Sequence, residues 1–134
     1  MTDMTDMTNV RPQAIQSPGL HLIGDFHRCA CGMDYLMDGS TLREHCLALV
    51  QGAGLTIAGD YFHQFGEGGG VTGVVVLSES HFAVHTWPEK LSVTVDVYVC
   101  NYGEDNREKA RRLFDALLAT FAPREPRICA IDRV

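Results

Sequence analysis

A hydroxyl, an imidazole and a thiol follow one another at Ser80, His85 and Cys100 in this 134-residue chain. The first two lie in the run Leu-Ser-Glu-Ser-His-Phe-Ala-Val-His-Thr-Trp-Pro-Glu from Leu77 to Glu89, and the thiol ends the segment Val97-Tyr98-Val99-Cys100. A serine hydroxyl can attack the carbonyl of the residue before it. The Glu79-Ser80 bond, five residues ahead of His85 and just after a Gly/Val-rich strand pattern, therefore reads as a self-cleavage site. Imidazole exchanges protons near neutral pH, and a protonated thiol can return a proton to carbon. Taken singly, each residue has a plainer reading. Ser80 would be a turn serine, His81 and His85 strand residues, Cys100 a small buried hydrophobe and Trp87 part of a core. Their joint spacing is what points to chemistry.

Over Gly19 to Asn101, and most densely in the thirteen residues Leu77 to Glu89, the chain resembles the bacterial and archaeal S-adenosylmethionine decarboxylase proenzymes. The resemblance implies that the chain severs itself into residues 1–79 and 80–134, with Ser80 becoming a covalent pyruvoyl group. It also implies that His85 is the processing base, Cys100 the proton donor in turnover, and Thr72 a hydroxyl that aids processing. Trp87 and Phe65 take the places of rings that stack on adenine, and Glu89 that of a carboxylate on the ribose hydroxyls. The carbonyl made from Ser80 would act as the electron sink for decarboxylation, giving the aminopropyl donor for spermidine. Gly66 to Gly70, Lys90-Leu91 and Asn101 depart from the family pattern. Relatives with the same machinery act on ornithine or arginine, which stands as the alternative substrate class; Trp87 and Glu89 favour the adenosyl substrate. A cysteine-dependent acyl-transfer enzyme using Cys100 and His85, or a regulatory homologue that does not cleave, are readings from other classes.

The elements that must position these residues are legible in the periodicity. Leu20, Leu22 and Gly24 alternate with His21, Ile23 and Asp25, a strand. Thr41-Leu42-Arg43-Glu44 fits a capping box before Leu42, Cys46, Leu49 and Val50 at helical spacing. Leu55 to Phe65 and Val71 to Ser78 read as strands joined by a flexible glycine connection, and Leu91 to Cys100 alternates cleanly. Asp105-Asn106-Arg107-Glu108 caps a second helix with Ala110, Leu113, Phe114, Leu117, Leu118 and Phe121 on one side, and Arg127 to Ile131 closes the sheet. The expected fold is α+β, an antiparallel-rich sheet with two helices on one face. The other face is left for function or a subunit contact, and the resemblance implies protomers that pair sheet to sheet. Ser80 and His85 have opposite parity on a strand, so a bend or tertiary context must pair them. Thr72 would lie about 26 Å from Ser80 on a straight strand, so its role requires chain reversal or a second subunit.

One domain over residues 19–134, preceded by a flexible tail over 1–18, fits the length. Seventeen acidic against eleven basic residues, a net charge of −6, disfavour nucleic acid or an anionic membrane as partner. No apolar run is long enough for a membrane span. Five cysteines at irregular spacing, without the pattern of a secretory signal, suit reduced thiols in the cytoplasm, with Cys46 and Cys129 as structural residues. His27, Cys29 and Cys31 lack the further ligands of a closed zinc site, so no metal is expected. Gly66 to Gly70 lacks the Lys and Ser/Thr of a phosphate loop.

Overall fold

The alternation read from the sequence builds a single six-stranded antiparallel sheet in a computed structural model that describes residues 18–133. All but the last residue of the expected tail over residues 1–18 lies outside the described residues. The strands are β1 (Gly19–Cys29), β2 (Ile57–Gln64), β3 (Val71–Leu77), β4 (Ser80–Trp87), β5 (Ser92–Cys100) and β6 (Pro123–Arg133). Their order across the sheet is β2-β3-β4-β5-β1-β6. Three α-helices accompany them: α1 (Asp34–Met37), α2 (Gly39–Gly52) and α3 (Arg107–Phe121). The one-turn α1 is an addition to the two expected helices.

The buried parity of β1, β3, β4 and β5 faces α2 and α3. Leu20, Leu22 and Phe26 of β1, Val71 and Val75 of β3, Phe82 and Val84 of β4, and Val93 to Val99 of β5 meet Leu42, Cys46 and Val50 of α2 and Leu113, Leu117 and Phe121 of α3. Each such large side chain taken from water contributes about 1.5–3 kcal/mol. Gly24 is required where β1 meets α3, because a Cβ there would lie 2.6 Å from the Phe26 ring and 2.9 Å from that of Phe114. Gly73 leaves room in the same way for the Phe62 ring.

Several boundaries differ from the sequence reading. α2 starts before Thr41, because the Asp38 carboxylate accepts from the Ser40 and Thr41 amides at 3.1 and 3.2 Å and is the cap. Leu91 is not part of β5. Pro88 opens a 3-10 turn through Lys90, and Leu91 ends it in the left-handed region at φ 51. β6 runs well beyond Arg127 to Ile131, pairing along β1 from Cys29↔Pro123 to Gly19↔Arg133. Its edge position tolerates Pro123 and Pro126, which offer no N–H to the sheet. Cys129 is exposed, whereas Cys46 is buried and its thiol is pushed up to about 12.

The sheet's second face carries no helix. It presents Thr72 from β3, His81 and His85 from β4, Asp96 and Tyr98 from β5 and His21 from β1, none of them in the core. No helix among the described residues is long and apolar enough to cross a membrane.

Candidate active site

The β3–β4 hairpin places the Glu79-Ser80 bond at its tip. Leu77 pairs with Ser80, leaving a two-residue turn of Ser78 and Glu79. Glu79 closes it at φ 58, a left-handed conformation that an L-residue with a Cβ adopts at a cost of roughly 1–2 kcal/mol. The acyl side of the bond that would break is thus held in a strained backbone. The Ser80 hydroxyl donates to the Ser78 carbonyl at 3.3 Å and accepts from the Cys100 amide N–H at 3.1 Å. β5 brings Cys100 there because His81↔Tyr98 sets the register, so the end of β5 reaches the turn. Ser78, Glu79, Ser80 and Cys100 line a cavity of about 290 Å³ together with Tyr102, Asn106 and Lys109. Lys109 is engaged with Glu104 at 2.7 Å.

A second cluster lies toward the other end of β4. The hairpin reverses the chain and sets Thr72 opposite His85, with Thr72 Oγ1 3.1 Å from His85 Nδ1. The His85 and Trp87 rings lie 6.0 Å apart, and the His63 ring stands edge-on to Phe65 at 4.5 Å. Phe65, Thr72, His85, Trp87 and Glu89 line one cavity of about 360 Å³. Phe65 is 56% and Trp87 37% exposed, so two large aromatic surfaces flank an opening to solvent.

Two residues outside the sequence reading build this second cavity. Thr86, only 4% exposed, accepts from the Val71 amide at 2.8 Å and donates to the Leu36 carbonyl at 2.7 Å, locking α1 and β3 behind Trp87. Gln64 donates to the Gly66 and Gly69 carbonyls at 3.1 and 3.0 Å while its Oε1 accepts from the Gly39 amide at 2.7 Å. The glycine connection expected to be flexible is therefore tied by a side chain, and Phe65 is held at its root. A polar residue at the inward parity of a strand was the available signal for both.

The structure brings together Glu79, Ser80 and Cys100 in one cluster and Phe65, Thr72, His85, Trp87 and Glu89 in another. It does not bring Ser80 to His85. Five residues of strand separate them, roughly 17 Å, on opposite faces. His85 and Cys100 are likewise apart, since His85 sits opposite Thr94, so one chain forms no Cys–His dyad. Burial raises the Cys29 thiol to about 12, with Cys31 adding to it, and raises the Cys31 thiol as well. Among the described residues no group of three or more His, Cys, Asp or Glu is placed to hold a metal ion.

The sequence profile of the S-adenosylmethionine decarboxylase family matches residues 20–134. The S-adenosylmethionine decarboxylase proenzyme of Aquifex aeolicus is 36% identical over 106 residues, covering 79% of this chain and 73% of that protein. The proenzyme of the same name from Carboxydothermus hydrogenoformans is 43% identical over 82 residues, 61% of this chain and 62% of that one. The crystal structure of the adenosylmethionine decarboxylase from Aquifex aeolicus superposes with a TM-score of 0.77 at 32% identity, covering 87% of this chain and 91% of that one. With the profile spanning nearly the whole described chain and a solved relative sharing its fold, the chain belongs to the S-adenosylmethionine decarboxylase family.

Proposed function

We propose that this chain is a self-processing decarboxylase that removes the carboxyl group of S-adenosylmethionine to give the aminopropyl donor for spermidine. The observation that carries this reading is the Ser80 hydroxyl at a strained Glu79 turn, 3.1 Å from the amide of Cys100. Ser80 Oγ attacks the Glu79 carbonyl and replaces the amide by an ester. Loss of the Ser80 α-proton expels the Glu79 carboxylate, and the residual dehydroalanine takes up water and releases ammonia. The chain is then two pieces, 1–79 and 80–134, with a pyruvoyl group at the start of the second. That group supplies an electron sink for loss of carbon dioxide from the substrate's α-carbon.

The residues around Ser80 fit such a group. The turn leaves the position partly exposed, and Cys100, whose thiol is suited to return a proton to carbon, lines the same cavity. The Thr72–His85 pair is suited to be the base, Phe65 and Trp87 to stack on a purine, and Glu89 to bind ribose hydroxyls. Because His85 lies roughly 17 Å from Ser80 along β4, with Thr72 paired opposite it and Phe65, Trp87 and Glu89 lining the same cavity, a working site draws these five from a second protomer. Two protomers packed through their uncovered sheet faces about a two-fold axis would set the Ser80 end of one β4 against the His85 end of the other. The uncovered face, polar and rich in histidine, supports that reading.

Intact-mass measurement on fresh protein tests the processing step: two fragments meeting at Glu79/Ser80, the second with a blocked start, are expected, and Ser80→Ala should abolish both cleavage and turnover. Carboxyl-labelled S-adenosylmethionine should release labelled carbon dioxide. Release from ornithine or arginine alone would overturn the substrate assignment.

A further inference from the structure

Asn106 stands at the N-cap of α3, yet its side chain makes no capping hydrogen bond. Asparagine is a favoured cap because its side-chain oxygen can accept from the unpaired amides of the first helical turn. Here Asp105 serves that turn instead, its Oδ1 accepting from the Arg107 amide at 3.0 Å. Asn106 is turned back toward β5. Its Nδ2 donates to the Cys100 carbonyl at 2.8 Å, and its own amide donates to Asn101 Oδ1 at 2.8 Å. The end of β5 is thereby clasped from α3. From the same end of β5 the Cys100 amide reaches Ser80 Oγ at 3.1 Å.

We propose that Asn106 is a positioning residue for self-processing, holding the Cys100 amide on Ser80 Oγ while that oxygen departs. The inference rests on Glu79-Ser80 being the bond that is cleaved. In the first step the bond from Ser80 Oγ to the Glu79 carbonyl carbon forms, the peptide C–N bond breaks, and the hydroxyl proton ends on the freed amine. In the second, a base takes the Ser80 α-proton, the Cβ–Oγ bond breaks, and Oγ leaves with its electron pair as part of the Glu79 carboxylate. An amide N–H aimed at that oxygen meets growing negative charge in the second step, where a preorganised donor has most effect. In the first step the same donor withdraws density from the nucleophile, so it does not favour attack. Loss of the clasp should therefore slow elimination and let the ester accumulate.

Asn106→Asp separates this role from a structural one. Aspartate has the same size and is a good cap, but it cannot donate to the Cys100 carbonyl. In a Ser80→Ala background, the melting temperature with Asn106→Asp should equal or exceed that of the parent. With Ser80 intact, cleavage should slow by about tenfold, the loss of one well-placed hydrogen bond. Hydroxylamine should then split the waiting chains at Glu79/Ser80, leaving a hydroxamate on Glu79 and an unmodified serine amine. Asn106→Ala should accumulate the same ester. Cleavage at the parental rate would overturn the proposal, as would slowing that tracks a fall in melting temperature without a hydroxylamine-sensitive ester. A parent that never cleaves would instead defeat the self-processing reading itself, which keeps the two failures distinct.

Discussion

Ser80 offers its hydroxyl oxygen to a backbone amide, and none of the described histidines lines the cavity around it. The amide belongs to Cys100 whatever side chain that residue carries. Cys100→Ala should therefore spare self-cleavage while lowering kcat by on the order of 10²-fold or more, the usual contribution of a positioned acid. Mass measurement of the two fragments and turnover assays on the processed protein check both halves. Equal loss of cleavage and turnover would show that the thiol acts in processing. The serine, imidazole and thiol proposed to react could be named from the sequence because the run from Leu77 to Glu89 and the Cys100 that follows resemble the family pattern. Asn106 was not, since an asparagine before a helix is ordinarily a cap, and only the contact with the Cys100 carbonyl shows its side chain engaged elsewhere.

At the scale of elements, the β3–β4 hairpin stores strain at Glu79. Glycine accepts positive φ without the Cβ clash. In a Ser80→Ala background, which keeps the chain whole, Glu79→Gly should raise unfolding free energy by up to about 1 kcal/mol, read from denaturant curves. A decrease would mean that the turn is not strained. The two long helices are joined by His45 of α2, whose Nε2 lies 2.8 Å from Thr120 Oγ1 of α3, with the Tyr35 ring at 4.7 Å. Burial lowers the His45 pKa below its ordinary value near 6.5. The unfolded chain then binds the proton more readily, so this contribution to stability is present above the ordinary value and is lost as pH falls through the folded one. Between pH 7.5 and 5.5 the melting temperature of the Ser80→Ala chain should fall more than that of the same chain carrying His45→Gln. Parallel curves would remove His45 from the pH response.

For the whole molecule, the separation of two clusters along one strand is the central geometric fact. Ser80→Ala and His85→Ala should each fail to cleave alone. Co-expressed with distinguishable tags, they should restore cleavage in the His85→Ala polypeptide only, because it keeps Ser80 and borrows His85 from its partner. Absence of cleavage in mixed protein, with mixing verified by pull-down, would count against a site shared between protomers. The sequence by itself determined the strands and the two long helices, the buried parity of the core strands and the functional groups available for chemistry. Those are local properties: two-residue and 3.6-residue periods, turn preferences and functional-group types are all written within a few positions. Only the tertiary structure decided that Thr72 faces His85, that Asp38 rather than Thr41 caps α2, and that Asn106 reaches back to Cys100. It also decided that no bend brings Ser80 to His85, so that the opposite parity read in the sequence leaves them at opposite ends of the unbroken β4. Strand pairing joins residues far apart in sequence, and its register depends on every neighbouring strand at once, so no local pattern can specify which side chains finally meet.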